Sequence, residues 1–183
     1  AGPAPGRPWA FSPYYKKDRI HLEFHGQPLG LAVDLRDREA FWNGSRTIPV
    51  GRTRAGILDD EFELCHLCLH AAQHSYSRLI WLLDISVLLE RARPSAERIA
   101  EICRREGISS IVYKSLCLAR AVAGAEVDGA LLDRLRPNGR TRKVLDLLWP
   151  EDWIAARKPF EPWPYEITTL FCLWERRDLK QAM

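Results

Sequence analysis

Residues 59–92, DDEFELCHLCLHAAQHSYSRLIWLLDISVLLERA, decide how the chain folds. Apolar residues recur there at three- and four-residue spacing, the period of an amphipathic helix. Asp59 or Asp60 caps the first helix, and Asp60 with Glu63 has the spacing of a capping box. That helix is expected to run to about His74 or Ser75. A second covers about Arg78 to Arg91, with Pro94 just beyond as a stop. One stripe carries His66, His70 and His74 at i, i+4 and i+8, which spans about 80° of the helix at 100° per residue. Leu64, Cys65, Cys68, Ala71 and Ala72 cover the other side.

Three readings of the stripe follow from chemistry alone. His-x-x-x-His brings two imidazoles to a common point, as a metal requires. The outer pair is about 12 Å apart along the axis, so one ion does not take all three. No local third ligand and no His-Glu-x-x-His motif accompanies them. The other readings are a polar face turned to a ligand, and plain structural hydrogen bonding. Trp81 and Asp84 stand one turn apart on the next helix. A partly buried Asp84 beside the imidazoles would orient them and raise their pKa, or simply be satisfied by that pairing.

Outward from this stretch, helices are expected at Ala96–Glu106 with Ser95 as cap, from Ser109 or Ser110 to Ala123, at Asp128–Leu135 and at Arg140–Leu148. Trp149 to Pro164 reads as an aromatic-pinned loop, and Tyr165 to Leu179 as a last helix. On the other side, Ile20 to His25 alternates apolar and polar, the period of a strand. Leu31–Leu35 suggests a second short strand, Asp37–Trp42 a short helix, and Thr47–Val50 with Thr53–Ile57 a hairpin around Gly51. Residues 1–15 are rich in Pro and Gly and read as an arm. The expected fold class is α+β, mainly α: a small β portion over 16–58 and a bundle of short helices over 59–183.

Composition narrows the class without naming a reaction. The chain has 183 residues, is 46% hydrophobic and 28% charged, and carries 27 basic against 24 acidic residues. That is a globular composition, and a net charge of +3 is no argument for nucleic acid. No apolar window reaches the roughly 20 residues of a membrane span, and no signal-peptide core is visible. The five cysteines sit mostly in apolar helical patterns, so Cys65-His66-Leu67-Cys68 reads as core packing rather than redox or zinc chemistry. Free thiols suit a reducing cytoplasm. Arg46, Arg52 and Arg54, and Arg136, Arg140, Arg142 and Lys143, read as solvated surface rather than a nucleic-acid groove.

Several separated motifs resemble one family in the right order. They are Leu22-Glu23-Phe24-His25 on the strand, Leu58-Asp59-Asp60-Glu61, Leu69-His70-Ala71-Ala72-Gln73-His74, and Leu79-Ile80-Trp81-Leu82-Leu83-Asp84. Residues 18 to 125, and more weakly to 179, resemble the C-terminal two-thirds of the uncharacterised nucleotidyltransferases of the DNA polymerase β superfamily. The resemblance implies magnesium held by three carboxylates against a nucleoside triphosphate, and in-line attack by an acceptor hydroxyl. Glu23 matches the third carboxylate, hence both the catalytic and the metal assignment. His25, His70, His74, Trp81 and Asp84 match positions that shape the cleft.

Two departures shape the expectation. No Gly-Ser turn with an Asp-x-Asp pair precedes Glu23, and Gly26 stands where the family has Trp. Gly44-Ser45 followed by Asp59 and Glu61 imitates the motif, but Pro49 and Gly51 break the helix it requires. One carboxylate does not hold two metal ions, so the chain is expected to be inactive alone. An upstream segment or a partner chain would complete it, with a small molecule or peptide as acceptor. The alternative is a non-catalytic binding module on the same scaffold, with Trp149–Trp163 as its contact surface. A metal enzyme built on the histidine stripe comes third.

Overall fold

The computed structural model describes residues 14–17, 20–23, 35–155 and 171. Its element order is β1 (Tyr14–Lys17), β2 (Ile20–Glu23), α1 (Arg38–Asn43), β3 (Arg46–Val50), β4 (Thr53–Ile57), α2 (Asp60–Gln73), α3 (Leu79–Ala92), α4 (Ala96–Glu106), α5 (Ser109–Ala123), α6 (Gly129–Leu135), α7 (Gly139–Leu148) and α8 (Glu151–Ala155). The fold is α+β and mainly α, with two separate two-stranded antiparallel sheets, β1-β2 and β3-β4.

The helical core is built where the periodicity puts it. Leu64, Cys65, Cys68, Ala71 and Ala72 of α2 are fully buried against Leu82 and Ile85 of α3 and Ile111, Val112, Leu116 and Ala119 of α5. Side chains at three- and four-residue spacing form one stripe on each helix, and the stripes meet. Polar caps open α1, α2, α4, α6 and α7, whereas α3 and α5 start at Arg78 and Ile108 with no side-chain cap. Asp59 accepts from the Phe62 amide at 2.8 Å, Ser95 from Arg98 at 3.4 Å and Asn138 from Thr141 at 2.9 Å. Asp59 is therefore the cap of α2, and Asp60 already lies inside the helix, so the Asp60–Glu63 capping box does not form.

The Asp37–Trp42 and Gly51 expectations hold closely. Asp37 caps α1 by accepting from the Ala40 amide at 2.8 Å. The hairpin pairs Arg46 with Ile57 through Val50 with Thr53. It occupies the place where the Gly44-Ser45 imitation would need a helix. Strand Ile20–Glu23 is present, but its partner is Tyr14–Lys17. The aromatic pair Tyr14-Tyr15 favours extended chain, so the end of the Pro- and Gly-rich arm is a strand. Of Leu31–Leu35 only Leu35 is described, and it is buried outside any strand.

A buried carboxylate ties the early chain to the bundle. Glu106, fully buried at the end of α4, accepts from the Arg36 amide at 2.8 Å and from Arg105 Nε at 3.1 Å. Phe41 of α1 packs edge-on against Phe62 of α2, with ring centroids 5.0 Å apart. At the far end the expected aromatic loop includes α8, and Trp149 is fully buried between Tyr76 and Phe171. The rest of the loop, Cys172 and most of the last expected helix lie outside the described residues, as does His25.

Candidate functional site

The structure brings three of the expected site residues together. α2 delivers His66 and His70 on its partly exposed side, and His74 is the residue that caps its end. The chain turns at Ser75–Arg78, and the first turn of α3 returns Trp81 to the histidines. The His70 ring meets Trp81 edge-on at 5.2 Å, and the His74 ring lies 4.9 Å from Trp81, tilted by 33°. His70 and His74 are 4.8 Å apart, and His66 stacks on His70 at 6.0 Å. The Arg78 guanidinium sits 5.9 Å from the Trp81 ring centre, a cation–π contact. His66, His70 and Trp81 are half-buried and His74 is exposed, so the cluster forms an accessible wall of aromatic rings with the Arg78 guanidinium beside it.

One expected member stands apart from it. Asp84 is exposed on α3 rather than partly buried beside the imidazoles, because it falls on the outward face with Ile80, Leu83 and Val87. Glu23 ends β2, opposite Tyr14 in the register. Among the described residues no group of three His, Cys, Asp or Glu side chains has the arrangement of a metal cage.

Cys65-x-x-Cys68 is core. Both thiols are fully buried, and Cys65 Sγ contacts Cys103 Sγ of α4 at 3.8 Å. Burial drives the Cys68 thiol well above its ordinary range, with the neighbouring Cys65 acting the same way and a Ser115 hydrogen bond opposing. A thiol held neutral is a poor nucleophile and a poor metal ligand. Both arginine clusters are exposed, as expected of solvated surface.

Sequence reading missed the turn that positions His74. Ser75 and Tyr76 both have positive φ, 52° and 53°. Tyr76 is pinned from both ends: its amide donates to the Ala71 carbonyl at 2.8 Å, and its hydroxyl bonds Ser115 Oγ at 2.8 Å. Ser115 also reaches the Cys68 and Ile111 carbonyls, each at 3.0 Å. Nothing in the residue types Ser-Tyr announces a left-handed pair, since Gly or Asn is the usual signal. Arg78 opens α3, and its three-residue spacing to Trp81 carries the cation–π contact.

A cavity of about 980 Å³ opens at the other end of α3, lined by Leu89, Glu90, Arg93, Arg120, Glu126 and Asp128 among others. It shares no residue with the histidine cluster.

Residues 8–124 match the family model of the uncharacterised nucleotidyltransferases, and the chain belongs to that family. The match takes in both sheets and α1 to α5, and so includes the whole histidine–tryptophan cluster. It ends at Gly124, so the weaker resemblance drawn toward residue 179 is not part of it. No curated protein and no solved structure matches. Among the described residues no helix is long and apolar enough to cross a membrane.

Proposed function

We propose that this chain supplies the helical, substrate-facing part of a nucleotidyl-transfer site, together with one of its metal-binding carboxylates. Glu23 is that carboxylate. The remaining pair, an Asp-x-Asp after a Gly-Ser turn, comes from an upstream segment or a partner chain. Nucleotidyltransferase families typically use a divalent metal, and magnesium with a nucleoside triphosphate is the proposed pair here. The observation that carries the reading is the convergence of His70, His74 and Trp81 inside the stretch that the family match covers.

The cluster suits a phosphorylated ligand in two ways. Arg78 and the imidazoles are donors to anionic oxygen, and Trp81 offers an apolar edge to a base or an acceptor. His25 is proposed to line the cleft as well once the carboxylate pair is present. The protein is proposed to act in the cytoplasm.

The test is a thermal-shift titration with magnesium and ATP or GTP, with and without the Asp-x-Asp segment. Stabilisation is expected only with the segment present, by about 2.7 kcal/mol at a hundredfold excess over Kd. Trp81→Phe and His74→Ala are expected to weaken nucleotide binding about tenfold. No shift with the segment supplied would sink the enzyme reading and leave a binding module on the same scaffold.

A further inference from the structure

The hairpin β3-β4 is largely exposed, and among the described residues no third strand pairs with either of its edges. Ten of its twelve residues, Arg46 to Ile57, are exposed, and only Ala55 and Ile57 are partly covered. A two-stranded ribbon with no third strand is a template for one, and folded proteins usually blunt such an edge.

The register says which edge is blunted. Val50 pairs with Thr53 across the two-residue turn Gly51-Arg52, with Gly51 at φ 59°. In a turn of this length the closing pair exchanges hydrogen bonds, and every second pair after it does the same. Val50–Thr53, Ile48–Ala55 and Arg46–Ile57 are therefore the bonded pairs. Thr47 and Pro49 turn their backbone groups outward on β3, and Arg54 and Gly56 do so on β4. Pro49 has no N–H, so the β3 edge lacks a donor at its middle. The β4 edge keeps both N–H and C=O at Arg54 and Gly56. Among the described residues β4 pairs only with β3, and Arg54 and Gly56 are both exposed.

Charge then says what fits beside it. Residues 46–57 contain three Arg and no acid. Arg46 is taken by Asp60 at 2.6 Å, whereas Arg52 and Arg54 have no carboxylate partner among the described residues. Arg54 shares a face with Thr47, Pro49 and Gly56, and the opposite face carries Ile48, Val50, Ala55 and Ile57. A strand laid along β4 would place alternate side chains beside Arg54 and beside this apolar face. Single-stranded nucleic acid is the poorer fit, because the hairpin has no aromatic ring on which a base would stack.

We infer that the open edge of β4 is a docking site for an extended segment of a partner protein that alternates acidic and apolar side chains, added as a third strand through Arg54 and Gly56. The mode is strand addition, in which main-chain bonds hold the segment and side chains select it. The inference stands apart from the transferase reading, since it uses none of that site's residues.

The experiment is an amide-resolved NMR titration of the full chain with an acetylated hexapeptide alternating Glu and Val. Expected are slowed exchange and shift changes at the Arg54 and Gly56 amides, with the Ala55 amide, already inside the hairpin, little altered. The same peptide with Lys for Glu is expected to bind at least about tenfold more weakly, and Arg54→Glu to reverse the preference. Gly56→Pro, which deletes an outward donor, is expected to abolish binding while the Ile48–Ala55 bonds persist. Equal binding of both peptides, perturbation confined to the β3 edge, or binding of an oligothymidylate in place of the acidic peptide would each overturn the inference.

Discussion

Two helix junctions in this protein are built on the same hydrogen bond and filled with different residues. Between α4 and α5, Gly107 takes φ 66°, and the buried Ile108 returns its amide to the Cys103 carbonyl at 2.9 Å. Between α2 and α3, Ser75 takes φ 52°, and the buried Tyr76 returns its amide to the Ala71 carbonyl at 2.8 Å. Both are Schellman turns, in which a left-handed residue lets the next amide reach back five residues. Gly fills the first at no steric cost. Ser fills the second, and Tyr76 follows it into the left-handed region. A left-handed non-glycine residue costs roughly 1–2 kcal/mol. The contrast teaches that the α2–α3 turn is held by what packs beneath it rather than by its own preference. It is also the turn that sets His74 against Trp81.

If that is so, the packing under Tyr76 is the largest lever. Its ring stands edge-on to Trp149 at 5.7 Å and is 2% exposed. Tyr76→Ala is expected to cost about 3–5 kcal/mol by urea unfolding, the usual range for emptying a buried aromatic site. It should also disturb Trp81 fluorescence, because His74 loses its anchor. A loss below about 1 kcal/mol would mean that the turn holds itself.

Ser115 tests the polar half of the same support. Its hydroxyl joins Tyr76, Cys68 and Ile111, and Ser115→Ala leaves the Tyr76 hydroxyl buried without this partner. The expected cost is about 1–3 kcal/mol. Tyr76→Phe in the same background should recover part of it, since both partners are then apolar.

The floor of the junction also carries a pH dependence. Burial holds the Cys68 thiol, and in lesser degree that of Cys117, above the ordinary range. A thiol whose folded pKa is raised stays protonated in the native state after the unfolded chain has begun to ionise near pH 8.5. Its contribution is complete below that pH and is lost as pH rises toward the folded pKa, because the native state then binds more protons. The expected loss approaches about 1.4 kcal/mol per pH unit for each such thiol. Urea midpoints at pH 7.5 and 9.5 measure it, and Cys68→Ala should flatten the slope.

The difference between the junctions also marks how far the sequence could be read. Gly107 announced the end of α4, and the apolar period placed α2, α3 and α5 within a residue or two of their observed ends. The cluster of His70, His74 and Trp81 was legible because i, i+4 spacing and a one-turn return are local geometry. Asp84 was misjudged because one turn from Trp81 is still a 60° rotation about α3, enough to carry it from the cleft to solvent. The partner of β2 was hidden because pairing is a tertiary choice between two candidate segments. Ser75-Tyr76 was hidden for a sharper reason: the local preference of both residues argues against the conformation they adopt.

That conflict gives the smallest effect and the one with an unusual sign. The Ser75 hydroxyl is buried and has no hydrogen-bond partner among the described residues, so it contributes a desolvation cost as well as strain. Gly at this position would remove both, against roughly 0.5–1 kcal/mol of added freedom in the unfolded chain. Ser75→Gly is therefore expected to stabilise the fold by about 1 kcal/mol, whereas Gly107→Ala at the matching position should destabilise it by roughly 1–2 kcal/mol. The stabilised variant should nonetheless bind nucleotide less well in the completed site, because a relaxed turn no longer holds His74 on Trp81. Higher stability with unchanged affinity would show that the strain serves no purpose at the cluster. Lower stability would show that Ser75 is not strained in the way its backbone angle implies.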